Sequence, residues 1–125
     1  MGMYTEFFFR AELTENQQAE QAVDMLRNAP RLGTTEFEHP FFHCPRWTML
    51  LFGGSAYHPT RGFDCRREEN EGPVLFIHSS FKNYDDEIVK FLDWIDPLVA
   101  EPQGTFLGYS LYENDCKPTL YYKKG

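Results

Sequence analysis

The chain has 125 residues, 42% of them apolar and 17% aromatic, enough for one domain with a core dominated by large rings. Its 12 Lys and Arg against 19 Asp and Glu give a formal net charge of -7. That balance excludes a nonspecific hold on long nucleic acid or an anionic membrane, because phosphate polymers are bound mainly by counterion release to clustered cations. Three cysteines, Cys44, Cys65 and Cys116, without C-x-x-C spacing exclude a disulfide framework or zinc ribbon. With no signal-peptide pattern and no apolar run near ~18 residues, a cytosolic protein without a membrane span is expected.

Tyr4 to Leu13 is rich in β-favouring side chains, with Phe7 and Phe9 on one parity and Glu6 and Phe8 on the other, which predicts a strand with one face fully buried. Thr14-Glu15-Asn16-Gln17 has the form of a capping box, with the Thr14 hydroxyl and Gln17 amide serving orphan N–H groups at a helix start. Ala19, Ala22, Val23 and Leu26 give that helix an apolar stripe at i, i+3, i+4 and i+7, and Pro30 is expected to stop it. Residues 29 to 46 lack any period and hold Pro30, Gly33, Pro40 and Pro45. So long a connection in a compact domain usually serves a purpose, which makes it the first place to look for function. Trp47 to Phe52 reads as a strand, Gly53-Gly54 as a bulge or turn, and Ala56 to Glu68 as an irregular returning strand broken near Pro59. Arg66 to Gly72 is a charged hinge.

Beyond the hinge, Val74 to Phe81 is a strongly β-prone run, and Asn83 to Asp86 supplies caps and acidic charge at a helix start. Ile88, Phe91, Leu92, Ile95 and Val99 mark the buried stripe of that helix, Asp86, Lys90 and Asp93 its wet side, and Pro102-Gln103-Gly104 its end. Phe106 to Tyr112 and Thr119 to Lys123 close a hairpin. The order strand, helix, hairpin over residues 3 to 69 thus recurs over 73 to 123. Two such βαββ halves predict a single α+β domain: one antiparallel sheet of about six strands with two helices on one face, related to the ferredoxin-like arrangement.

Chemistry-bearing motifs are sparse. His39, His43 and Cys44, with His58, Cys65 or His78, have zinc-ligand chemistry, but Pro40 and Pro45 argue against the helix that would align His39 with His43, and no metal is assigned. Cys44 follows His43 directly, yet sequence neighbours usually point apart, so the cysteines read as small buried apolar groups. Asp85, Asp86 and Glu87 fit a helix N-terminus. Gly53-Gly54-Ser55 and Gly62 match no phosphate-binding loop. No catalytic residue and no cofactor is assigned.

Two groups remain. Arg46, Trp47, Tyr57, His58, Arg61, Arg66 and Arg67 surround the first hairpin and are the candidate ligand site: arginine forks read phosphate or carboxylate, and Trp or Tyr faces stack on a base. The competing reading is an exposed hairpin whose arginines pair with Glu68, Glu69 and Glu71. Tyr109, Tyr112, Tyr121 and Tyr122, with Phe106, line the last hairpin. On an uncovered sheet face they would form an interface, and a homodimer is expected there.

Met3-Tyr4-Thr5-Glu6-Phe7, His39-Pro40-Phe41-Phe42 with Pro45-Arg46-Trp47, Lys82-Asn83-Tyr84-Asp85 with Glu87-Ile88, Phe91 and Asp93-Trp94-Ile95, and Leu107-Gly108-Tyr109 with Tyr112-Glu113 and Pro118-Thr119-Leu120-Tyr121-Tyr122 resemble a family of small bacteriophage and prophage proteins. The resemblance spans most of the chain outside residues 53 to 72 and brings no active site with it. It implies an accessory protein in the cytoplasm of an infected bacterium, with counter-defence as its purpose. Together these expectations describe a non-enzymatic protein that sequesters a small nucleotide-derived immune signal. The alternatives are blockade of a host protein through an aromatic surface or the 29 to 46 loop, and a small hydrolase of such a signal.

Overall fold

Alternation along β1 (Thr5–Glu12) sends Phe7, Phe9 and Ala11 to a side sealed from solvent and Glu6, Phe8, Arg10 and Glu12 to the other. The computed structural model describes residues 4–32, 39–54, 59–67 and 72–124, with the backbone path alone over 29–32. In it β1 is the middle strand of an antiparallel sheet of order β2-β3-β1-β4-β5, with β2 (Gly62–Arg67), β3 (Pro73–Phe81), β4 (Phe106–Tyr112) and β5 (Thr119–Tyr122). Helix α1 (Gln17–Leu32) follows β1 and α3 (Glu87–Ile95) follows β3. The first four strands therefore have the order of a split β-α-β-β-α-β sheet, extended by β5 at one edge.

The core lies between the Phe7/Phe9 side of the sheet and the helices. Phe91 of α3, fully buried, meets Phe7 at 6.0 Å and Phe9 and Phe41 at 5.4 Å, all edge-on. Ala19, Val23 and Leu26 of α1 join the same cluster. Each such ring contributes on the order of 1.5–3 kcal/mol by leaving water. Gly108 is required where β4 crosses β1, because a Cβ there would run into the Phe8 carbonyl.

Trp47 to Phe52 is not a strand. It forms α2 (Trp47–Phe52), because Trp47, Leu50 and Leu51 stand at i, i+3 and i+4 and all three are buried, while Met49 and Phe52 face outward. A six-residue apolar run satisfies either period, and packing on β3 decides it: the Ser79 hydroxyl donates to the Leu50 carbonyl, and the Ser80 amide donates to the Gly53 carbonyl at 3.1 Å. Gly53-Gly54 thus ends a helix docked on β3, where a Cβ at Gly53 would stand 2.7 Å from the Ser80 carbonyl oxygen. Among the described residues the sheet has five strands, and the chain up to β2 reads β-α-α-β, unlike the β-α-β-β that follows. Residues 55–58 of the expected returning strand and 68–71 of the expected hinge lie outside the described residues.

Smaller corrections have local causes. The cap of α1 is Asn16, whose Oδ1 accepts the Ala19 amide at 2.9 Å; Thr14 is held instead in extended backbone by its amide bond to the Leu98 carbonyl and by the neighbouring Leu13–Val99 bridge. Helix α1 is not stopped by Pro30 and runs to Leu32. In the described part of the 29 to 46 connection, Phe41, Phe42 and Cys44 belong to the core. A 3-10 turn over Pro40–His43 buries Phe41 and Phe42 against Trp47 and Trp94, with His39 Nδ1 accepting the Phe41 amide and Nε2 donating to Asp93 at 2.9 Å.

Candidate functional site

With α1, α2 and α3 on the Phe7/Phe9 side, no helix among the described residues covers the other face of the sheet. The register builds that face from the middle strands outward. Phe8 pairs with His78 and Tyr109, Arg10 with Phe76, Glu6 with Ser80 and Leu111, and Phe76 and Val74 with Asp64 and Arg66 of β2. Three rings consequently form a row across β3, β1 and β4. Phe8 meets Phe76 edge-on at 5.4 Å and lies nearly parallel to Tyr109, 14° between planes at 5.6 Å. All three are half-buried, with the rest of their surface open to solvent.

Beside Phe76 an open cavity of about 580 Å³ is lined by Arg10, Arg61, Arg66, Asp64, Val74 and the edge of Phe63. Arg66 Nε donates to Asp64 Oδ2 at 2.8 Å, which leaves its terminal nitrogens for other acceptors. Among the described residues the side chains of Arg10 and Arg61 have no hydrogen-bond or ion-pair partner. In a chain of net charge -7 this is a local cationic patch beside an aromatic platform. On the other side of Phe8, His78 Nε2 donates to Glu6 Oε2 at 2.8 Å. Burial pushes the Tyr109 phenol above its ordinary pKa, with the Glu6 charge and a hydrogen bond to Glu6 adding in the same direction.

The sequence-proposed ligand residues do not converge. Arg61 and Arg66 line the open-face cavity. Arg67 has the opposite parity and reaches Glu20 of α1 at 4.0 Å. Arg46 caps α2 on the helical side, 3.5 Å from Asp85 and over the Tyr84 ring at 5.3 Å. Trp47 is only 5% exposed and is packed by Phe41 and Phe42, which leaves no face for stacking on a base. Tyr57 and His58 lie outside the described residues. The four interface tyrosines divide as well. Tyr109 and Tyr122 are on the uncovered face, the latter beside Phe106, whereas Tyr121 and Tyr112 have the helix-side parity and the Tyr121 hydroxyl bonds to Ser110 Oγ at 2.7 Å.

Phe8, Phe76 and Arg10 were not singled out from the sequence. Their signal was present: Phe8 shares its parity with Glu6 and Arg10, so one ring of the Phe7-Phe8-Phe9 run had to point to the polar side.

The thiols do not form a second centre. Cys44 lies in a cavity of about 460 Å³ with His39, His43, Asp85 and Lys90, its Sγ 3.8 Å from Lys90 Nζ. Burial pushes its thiol up against the pull of Lys90, and burial likewise raises Cys65, so both favour the unreactive protonated form. Among the described residues no group of three His, Cys, Asp or Glu side chains is placed to hold a metal ion, and no helix is long and apolar enough to cross a membrane.

No family model, curated protein or solved structure matches the chain.

Proposed function

We propose that this protein binds a small, planar, anionic ligand of nucleotide type on the uncovered sheet face, without transforming it. The observation that carries the reading is the juxtaposition of unpartnered Arg10 and Arg61, and of Arg66, with the Phe76–Phe8–Tyr109 row. Guanidinium groups take phosphate oxygens in two-point geometry, and ring faces take a base. The overall negative charge repels a long polyanion but is overcome locally for a small one. In the setting implied by the resemblance to phage proteins, the ligand is a nucleotide-derived immune signal in the host cytoplasm, and binding withdraws it.

The test incubates purified protein with cyclic and ADP-ribose-type nucleotides, follows thermal stability, then heats the sample and analyses the released compound. A raised melting temperature that Arg10→Glu with Arg61→Glu abolishes, with intact nucleotide released, supports the proposal. No shift with any nucleotide rejects it, and an altered nucleotide makes the protein an enzyme.

A second reading rests on the corner of the sheet at β5, where Phe106, Leu120 and Tyr122 are 47%, 47% and 48% exposed. Large apolar groups left half in water at a sheet edge suit a protein contact, either a second copy or a host protein. Light scattering of the wild type and of Tyr122→Asp separates a homodimer from a monomer.

A further inference from the structure

Taking the nucleotide-type reading of the uncovered face as its basis, we infer that Glu6 reads the hydrogen-bonding edge of the base and selects guanine. Along β1 the residues pointing to this face are Glu6, Phe8 and Arg10 in succession. An antiparallel strand rises ~3.4 Å per residue, so Glu6 and Arg10 stand ~7 Å from Phe8 in opposite directions. A ligand whose phosphate meets Arg10 and Arg61 and whose base lies over Phe8 therefore directs the far edge of that base toward Glu6.

The ionised Glu6 carboxylate can only accept. The Glu6 side chain is 38% exposed, and its Oε2 takes the proton of His78 Nε2 at 2.8 Å. A carboxylate offers about four acceptor positions, so this bond leaves acceptor capacity on a group that stays partly open to solvent. Asp64, which pairs with Phe76, is engaged by Arg66 at 2.8 Å and belongs to the phosphate end.

Base chemistry then decides. Guanine presents two adjacent donors on its Watson–Crick edge, N1–H and the N2 amino group, which match an acceptor-only carboxylate. Adenine presents one amino donor beside a ring acceptor, and uracil sets its single N3–H between two carbonyl oxygens that repel Glu6. Hypoxanthine keeps N1–H and lacks the amino group. A hydrogen bond to a charged group contributes ~1.5–3 kcal/mol, about ten- to hundredfold in affinity. The expected order is thus guanine, then hypoxanthine, then adenine, with uracil last.

The experiment is calorimetric titration of the full chain with GMP, IMP, AMP and UMP, repeated on Glu6→Gln. For the wild type, GMP is expected to bind roughly tenfold or more tightly than UMP, with IMP between them. Glu6→Gln should compress that spread to within about threefold, lowering GMP affinity as its two donors lose a charged acceptor and raising that of UMP as the repulsion of its carbonyls is relieved. Equal affinity for all four nucleotides overturns the assignment of Glu6 and leaves the face as a nucleotide site without base choice. An undiminished spread in Glu6→Gln overturns it in the same way. Failure of every nucleotide to bind overturns both this assignment and the function on which it rests. If Glu6→Gln does not fold, the wild-type comparison of GMP with IMP still decides, because loss of one amino group that costs nothing contradicts a carboxylate reader.

Discussion

Phe8 and Phe9 are adjacent in the chain and face opposite sides of the sheet, so replacing each by alanine separates stability from recognition. Phe9 is fully buried, 6.3 Å from Phe7 and 5.4 Å from Phe91, and its removal leaves a closed cavity. Truncations of that kind cost ~3–5 kcal/mol, against a total of ~5–15 kcal/mol for a domain of this size. Phe8 is half-exposed and touches Phe76 and Tyr109, so Phe8→Ala gives up part of one ring's burial and two ring contacts without sealing a void, ~1–2 kcal/mol. Recognition should run the other way. Stacking of a base on an aromatic side chain contributes ~1–3 kcal/mol, so Phe8→Ala is expected to weaken nucleotide binding roughly five- to hundredfold. Phe9→Ala, measured at a temperature where it is folded, should bind within about twofold of wild type, since Phe9 contributes nothing to the open face. Urea unfolding with a shared m-value gives the first pair of numbers and calorimetry the second. Equal destabilisation by the two substitutions would refute the assignment of faces. A Phe8→Ala protein that binds nucleotide as tightly as wild type would refute the ring as a platform.

Further outcomes follow from single contacts. Gly108→Ala should cost more than ~2 kcal/mol in urea unfolding, because its methyl group meets the backbone of β1 rather than a side chain that can turn away. Tyr109, raised above the ordinary phenol pKa by burial and by Glu6, should ionise above the usual tyrosine range in an ultraviolet pH titration, and Glu6→Gln should bring it part of the way back. Because the folded state holds that proton more tightly than the unfolded state, the associated stability is complete below pH ~10 and is lost as pH rises through the raised value. At pH 8 a thiol reagent should modify exposed Cys116 quickly and Cys44 and Cys65 only after denaturation; three equally fast thiols would contradict the burial that raises the latter two.

Periodic segments were legible in the sequence for the reason they fold. The alternation of Phe7 and Phe9 fits a strand and the stripe of Ile88, Phe91, Leu92 and Ile95 fits a helix, which ends before the expected Val99, while β-branched and aromatic content made the run from Val74 to Phe81 the expected strand. Trp47 to Phe52 satisfies both periods, and the choice was made by Ser79 and Ser80 on a strand nearly thirty residues away, information no local window holds. The misplaced strand carried the candidate site with it. A hairpin there would have brought Arg46 and Trp47 beside Arg61 and Arg66, whereas α2 buries Trp47 and turns Arg46 toward Asp85. Arg10 escaped notice because it is distant in sequence from the other arginines, and only the pairing of β1 with β3 and of β3 with β2 brings them to one cavity.

The Gly53 carbonyl, accepting from both the Ser80 amide and the Thr60 hydroxyl, acts as a bolt across the outer end of β3. It occupies the hydrogen-bonding position that β2 would need in order to slip further along its neighbour. A slip of one residue would turn Asp64 and Arg66 under the helices and lift Phe63 and Cys65 into water. A short helix on one side of the sheet thereby bears on which charges are displayed on the other.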